Sequence, residues 1–122
     1  MAKVLVVDDS IMIRKLIKTI LENENHEVIA EASNGEEAYN LFCQYKPDLV
    51  TMDVSMPHTN GIVAVKKIIN NYPDANIIMV SAISQRDMVF EALESGAKHY
   101  IIKPITREKI ISVKNEVLCP IE

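Results

Sequence analysis

The sequence predicts an α/β domain: five parallel strands in one sheet, with helices on both faces. Three observations predict it. Short apolar runs, often β-branched, alternate with longer stretches whose apolar residues recur about every 3.6 positions. Residues suited to helix ends fall between them. The 122 residues, 48% hydrophobic, 25% charged and 5% aromatic, match one globular domain over 1–122. Strict alternation of strand and helix requires parallel strands joined by right-handed crossovers.

Each element has its own signal. The first strand is predicted over 4–7, and Ile13, Leu16, Ile17, Ile20 and Leu21 make the helical stripe after it. The second strand is predicted over 28–30. Ser33-Asn34-Gly35-Glu36 has the form of a capping box, with Ser33 and Glu36 as the reciprocal pair, before the stripe Ala38, Leu41, Phe42. The third strand, 49–52, precedes Ile62, Val65, Ile68 and Ile69, which Pro73 closes. The fourth, 77–80, precedes Val89, Ala92 and Leu93, with Gly96 placed where a helix leaves in a left-handed conformation. The fifth, 100–102, precedes Ile110, Val113 and Val117.

Polar residues at the starts of the second strand (His26, Glu27) and the fifth (Lys98, His99) mark these two as edges. The other three are more uniformly apolar, as central strands require. Edges at strands two and five favour the order 2-1-3-4-5 over one that puts strand three outside.

Composition removes several classes of function. A net charge of −4 argues against a nucleic-acid binder that relies on phosphate neutralisation. The longest apolar runs stop far short of the ~20 residues of a membrane span. The N-terminus passes from Lys3 into the first strand with no secretory signal pattern. Cys43 and Cys119 form neither metal spacing nor a disulfide framework, and a reducing cytoplasm is the expected location.

The chemistry gathers at strand ends. Open α/β sheets bind ligands beyond the carboxyl ends of their strands. Here the first run ends at Asp8-Asp9, the third at Asp53, the fourth at Ser81 and the fifth at Lys103, while Glu31 ends the second at an outlying edge. Strands one and three are neighbours in the predicted order, so three carboxylates converge. Lys103 starts two strands away, about 10 Å at normal strand spacing, and must reach across the small Ser81.

Two carboxylates about 4 Å apart repel by roughly 4 kcal/mol at an effective dielectric near 20. A hard divalent cation such as Mg²⁺ relieves that repulsion, and no thiolate or imidazole set suits a softer metal. A metal beside a free carboxylate, with an ammonium and a hydroxyl at hand, suits aspartyl-phosphate chemistry at Asp53.

Val6-Val7-Asp8-Asp9, Met52-Asp53-Val54-Ser55-Met56-Pro57 with Gly61, Ser81-Ala82, and Tyr100-Ile101-Ile102-Lys103-Pro104 resemble the signature set of two-component response regulator receiver domains. The likeness runs from Lys3 to about Val117. It is nearest to stand-alone chemotaxis receivers of the CheY type, which have a flavodoxin-like fold. CheY is itself a standard example of the 2-1-3-4-5 order.

The resemblance implies roles for the matching positions. Asp53 would be the phosphoacceptor and a metal ligand. Asp9 would hold Mg²⁺ directly, Asp8 through water and Ser55 through its backbone carbonyl. Lys103 would contact Asp53 or its phosphoryl group, and its bond to Pro104 would be cis. Ser81, at a position where many members carry Thr, would move toward the phosphate, and Tyr100 would follow from an outward to an inward rotamer. Ser55 and Ile83 fall at variable positions that affect the dephosphorylation rate. Phe90, Val89 and Tyr100 would meet a partner on the face made by the fourth helix, fifth strand and fifth helix.

The implied function is a monomeric switch. A sensor histidine kinase phosphorylates it, and it binds a target, such as the flagellar motor switch. The alternative is a phosphorelay shuttle to a histidine phosphotransfer protein. A Mg²⁺-dependent hydrolase of the haloacid dehalogenase type is disfavoured because Ser55 stands where its second acid is needed, and a flavodoxin-like nucleotide carrier because Asp8-Asp9 repel phosphate. His58 reads as an exposed loop residue, His26 and His99 as partly exposed strand residues, and Met52, Met79 and Met88 as core filling.

Overall fold

The computed structural model of the protein describes residues 1–56 and 60–118. In chain order the elements are β1 (Lys3–Val7), α1 (Ile11–Asn23), β2 (Glu27–Ala32), α2 (Gly35–Tyr45), β3 (Leu49–Asp53) and α3 (Gly61–Asn71). They continue with β4 (Ile77–Ser81), a 3₁₀ turn at Ile83–Gln85, α4 (Arg86–Glu94), β5 (His99–Ile102) and α5 (Arg107–Leu118). The five strands form one parallel sheet in the order β2-β1-β3-β4-β5. The predicted class, order and edges are all borne out.

Side-chain alternation divides the core into two layers. Leu5, Val7, Val50, Met52, Ile77 and Met79 pack on one face of the sheet against Phe42 of α2, Val65 and Ile68 of α3, and Ala92 of α4. Val4, Val6, Leu49, Ile78 and Ile101 pack on the other against Ile17 and Leu21 of α1 and Ile110 and Val113 of α5. β3 and β4 are buried throughout and β1 is buried beyond Lys3, whereas β2 and β5 are largely half-exposed. Met52 and Met79 fill the core, and Met88 packs at its margin.

Local details correct the sequence reading in three places. β2 runs on to Ala32 to pair with Val7, so the cap of α2 moves one residue along. Asn34, not Ser33, accepts from the Glu37 N–H at 2.8 Å, and the Glu37 carboxylate accepts from the Ser33 N–H at 2.8 Å, while Glu36 stays exposed. Leu16 is 40% exposed because α1 presents only the narrower arc of Ile17, Ile20 and Leu21 to the sheet. His26 lies just before β2 rather than in it.

Gly96 leaves α4 with φ +121°, and a Cβ there would approach Ile69 to 2.9 Å, so both conformation and space demand glycine. Ala97 N–H and Gly96 N–H then close the helix end by donating to the carbonyls of Ala92 and Leu93. Among the described residues no helix is long and apolar enough to cross a membrane. Cys43 is a free, partly buried thiol; Pro57, His58 and Cys119 lie outside the described residues.

Candidate functional site

The carboxyl end of the sheet assembles the site. β1 stops at Val7, and Asp8 and Asp9 fill the step before Ser10 caps α1 by accepting from the Ile13 N–H. Asp8 is 1% exposed and Asp9 is exposed. The last residue of β3 is Asp53, 3% exposed. One carboxylate oxygen from each of Asp8, Asp9 and Asp53 lies within 4.8 Å of the others. The convergence expected from the strand order is present.

α3 begins almost on top of Asp53. The Gly61 N–H donates to the Val54 carbonyl at 2.7 Å, and a Cβ on Gly61 would stand 2.2 Å from the Asp53 carbonyl oxygen. Only glycine permits that approach. The Ser55 N–H reaches back to Asp53 Oδ1 over a long 3.4 Å.

Lys103 spans the gap from β5, its Nζ 3.8 Å from Asp53 Oδ1. The Lys103 N–H donates to the Ser81 carbonyl at 2.7 Å, which ties the exit of β5 to β4, and the Lys103–Pro104 peptide is cis. Ser81 is fully buried and its Oγ has no hydrogen-bond partner among the described residues. The Ala82 N–H after it is held at 2.8 Å by the Gln85 side chain.

Burial sets the electrostatics. It pushes the Asp53 carboxyl up to about 7, and the neighbouring Asp8 pushes the same way, against the opposing pull of Lys103 and the Ser55 N–H. The Asp8 carboxyl is also raised, first by burial, against the Ser10 N–H and Lys103. Asp8 Oδ1 accepts from the Ser10 N–H at 2.9 Å, but Asp8 Oδ2 is buried with no hydrogen-bond partner among the described residues. An unpartnered buried carboxylate oxygen beside two other acids is an environment deficient in positive charge. All-oxygen donors of this kind fit a hard divalent cation such as Mg²⁺.

Phe90 is 64% exposed and Tyr100 41%, on a groove of about 320 Å³ that they share with Arg86, Val89, Leu93 and Ile102. Val89, in the predicted apolar stripe of the fourth helix, also lines this groove. It is 5% exposed and packs in the core beneath α4, so it floors the groove rather than standing out from it.

Two contributors went unread in the sequence. Arg14 donates from Nη1 to the Asp8 carbonyl at 2.6 Å, and Thr51, two residues before Asp53 on β3, buries a hydroxyl with no hydrogen-bond partner among the described residues. Arg14 carried a signal: a cation near a helix N-terminus opposes the helix dipole, which points to a partner outside the helix. Thr51 carried none, since threonine is ordinary in strands.

Comparison with known proteins is consistent across sequence and structure. Residues 4–114 match the response regulator receiver domain. The chemotaxis protein CheY of Thermotoga maritima is 44% identical over 115 residues, covering 94% of this chain and 96% of that protein. The Bacillus subtilis CheY is 42% identical over 116 residues, covering 95% and 97%. The solved CheX–CheY–BeF3–Mg complex of Borrelia burgdorferi matches with a TM-score of 0.90 at 34% identity, covering 94% of this chain and 87% of that one.

Proposed function

The chain belongs to the response regulator receiver family, as a CheY-like signalling switch of chemotaxis, and from that premise we propose that Asp53 is its phosphoacceptor. The observation that carries the proposal is the meeting of Asp8, Asp9 and Asp53 within 4.8 Å, with Lys103 Nζ 3.8 Å from Asp53. Asp8, Asp9, Asp53 and the Ser55 backbone carbonyl are the groups that would hold Mg²⁺. When bound, the ion supplies positive charge that keeps Asp53 ionised and offsets charge on the phosphoryl oxygens.

An Asp53 carboxylate oxygen attacks the phosphorus of a kinase phosphohistidine. The new P–O bond forms as the P–N bond breaks, and the imidazole leaves with the electron pair. Lys103 turns from carboxylate to phosphoryl oxygen, and the Ser81 hydroxyl, without a partner in this state, gains an acceptor. Each such charge-assisted bond contributes roughly 1.5–3 kcal/mol. Two of them approach the ~5.5 kcal/mol that inverts a two-state equilibrium from 1:99 to 99:1.

Movement of Ser81 toward the phosphate opens space for Tyr100 to turn inward and reshape the groove of α4, β5 and α5. A protein target, the flagellar motor switch being the leading one, then binds that face. The test is incubation with acetyl phosphate and MgCl₂, followed by intact mass and site mapping. One added phosphoryl group on Asp53, dependent on Mg²⁺, is expected. A modified Asp53→Asn protein would overturn the assignment. Phosphate transfer to a histidine phosphotransfer protein, without phosphorylation-dependent binding to a motor-switch peptide, would replace the switch by a relay.

A further inference from the structure

The backbone is anchored on either side of the Asp8 Cα, once in each of the two peptide units that flank it. The Asp8 N–H donates to the Ala32 carbonyl of β2 at 3.0 Å, and its carbonyl accepts from Arg14 Nη1 at 2.6 Å. Arg14 reaches it from α1 with a side chain only 16% exposed. The other limb of the guanidinium, Nε, donates to Glu31 Oε1 of β2 at 3.1 Å, and Lys18 Nζ lies 3.9 Å from the second Glu31 oxygen. One rigid planar fork therefore braces the acidic loop against the edge strand.

We propose that Arg14, oriented by Glu31, is a positioning residue for the divalent cation. Anchoring the Asp8 N–H and carbonyl fixes the backbone at Asp8, and because a peptide unit is planar the Asp8 carbonyl also fixes where the Asp9 nitrogen and Cα stand. Asp8 Oδ1 is already committed to the Ser10 N–H, which leaves Oδ2 as its open donor. The clamp holds that donor and the Asp9 carboxylate toward a common point. Glu31, which the strand order had set outside the cluster, enters the site through Arg14. This inference rests on the reading that Asp8, Asp9 and Asp53 bind magnesium.

Charge and positioning predict opposite signs, and that makes the proposal testable. A cation near the acids repels Mg²⁺, so by charge alone its removal tightens binding. Loss of the clamp loosens it, by about tenfold or more if Arg14 behaves like other groups that orient metal ligands. Calorimetric titration with MgCl₂ alone, on wild type, Arg14→Lys and Arg14→Gln, separates the two. Both variants are expected to bind more weakly, although lysine keeps the charge. With acetyl phosphate, half-saturation should shift to higher Mg²⁺ while the maximal rate stays near wild type, which general destabilisation would not produce.

Glu31→Asp, which keeps the charge but draws the carboxylate away from Arg14, should weaken binding in wild type but add nothing on top of Arg14→Lys. Unchanged or tighter binding in an Arg14 variant, or additive effects, would overturn the proposal. If circular dichroism shows the Arg14 variants unfolded, Glu31→Asp, which keeps the charge but shortens the reach to Arg14, carries the test: weaker binding supports the clamp and unchanged binding overturns it. Failure of wild type itself to take up Mg²⁺ would overturn the metal reading instead, and with it this inference.

Discussion

At the scale of single residues, the site is a set of polar atoms placed where the fold gives them too few partners. Asp53 expresses this most strongly. Its carboxyl has an ordinary value of 3.8 and is raised to about 7 in the folded protein. Between those limits the native state keeps a proton that the unfolded chain releases, so metal-free stability falls as pH rises through that window. Below 3.8 both states are protonated and the penalty is absent. Asp53→Asn removes the charge, so in EDTA it should stabilise the protein at neutral pH and above, by on the order of a few kcal/mol, with the gain vanishing near pH 4. Differential scanning calorimetry across that range checks the sign. A gain that grew on acidification would contradict the burial argument.

At the scale of elements, α4 and β5 combine structural and recognition surfaces within a few residues. Val89 and Ala92 anchor α4 to the core, while Phe90, on the opposite side of the same turn, is 64% exposed. Lys66 of α3 pairs with Glu91 at 2.9 Å across the neighbouring face. Phe90 therefore contributes little to folding, and Phe90→Ala should alter stability by less than about 0.5 kcal/mol. On a target-binding face the same change should cost about 2 kcal/mol of affinity for the motor-switch partner, as for a typical aromatic anchor. Chemical denaturation and a binding titration of the phosphorylated protein give the two numbers. A loss of stability with no loss of affinity would return Phe90 to the core's account.

At the scale of the whole molecule, three carboxylates at one end of the sheet oppose the fold that brings them together. The sheet interior is buried on both faces, so the layers can hold the acids close against their repulsion. A cation that binds only this assembled arrangement must in turn stabilise the whole domain. Magnesium at 100 times its dissociation constant should add about 2.7 kcal/mol. The midpoint of thermal unfolding should rise in MgCl₂ relative to EDTA, and much less so for Asp8→Asn. Equal shifts in both proteins would place the ion elsewhere.

What the sequence determined by itself was the periodic and the terminal. Strands and helices were legible because apolar spacing is a property of neighbouring residues, and Asp8, Asp9, Asp53, Ser81 and Lys103 could be found because each follows directly from an apolar run. The edge strands could be read from their polar starts. Tertiary structure decided whatever depends on competition between distant groups. It gave the cap of α2 to Asn34 because β2 continues to pair with β1. It left Leu16 outside the packed arc of α1. It set the proton affinity of Asp53, and it joined Arg14 and Glu31 behind the acidic loop. Those outcomes turn on burial and on a few ångströms between separate segments, and the local pattern along a chain encodes neither.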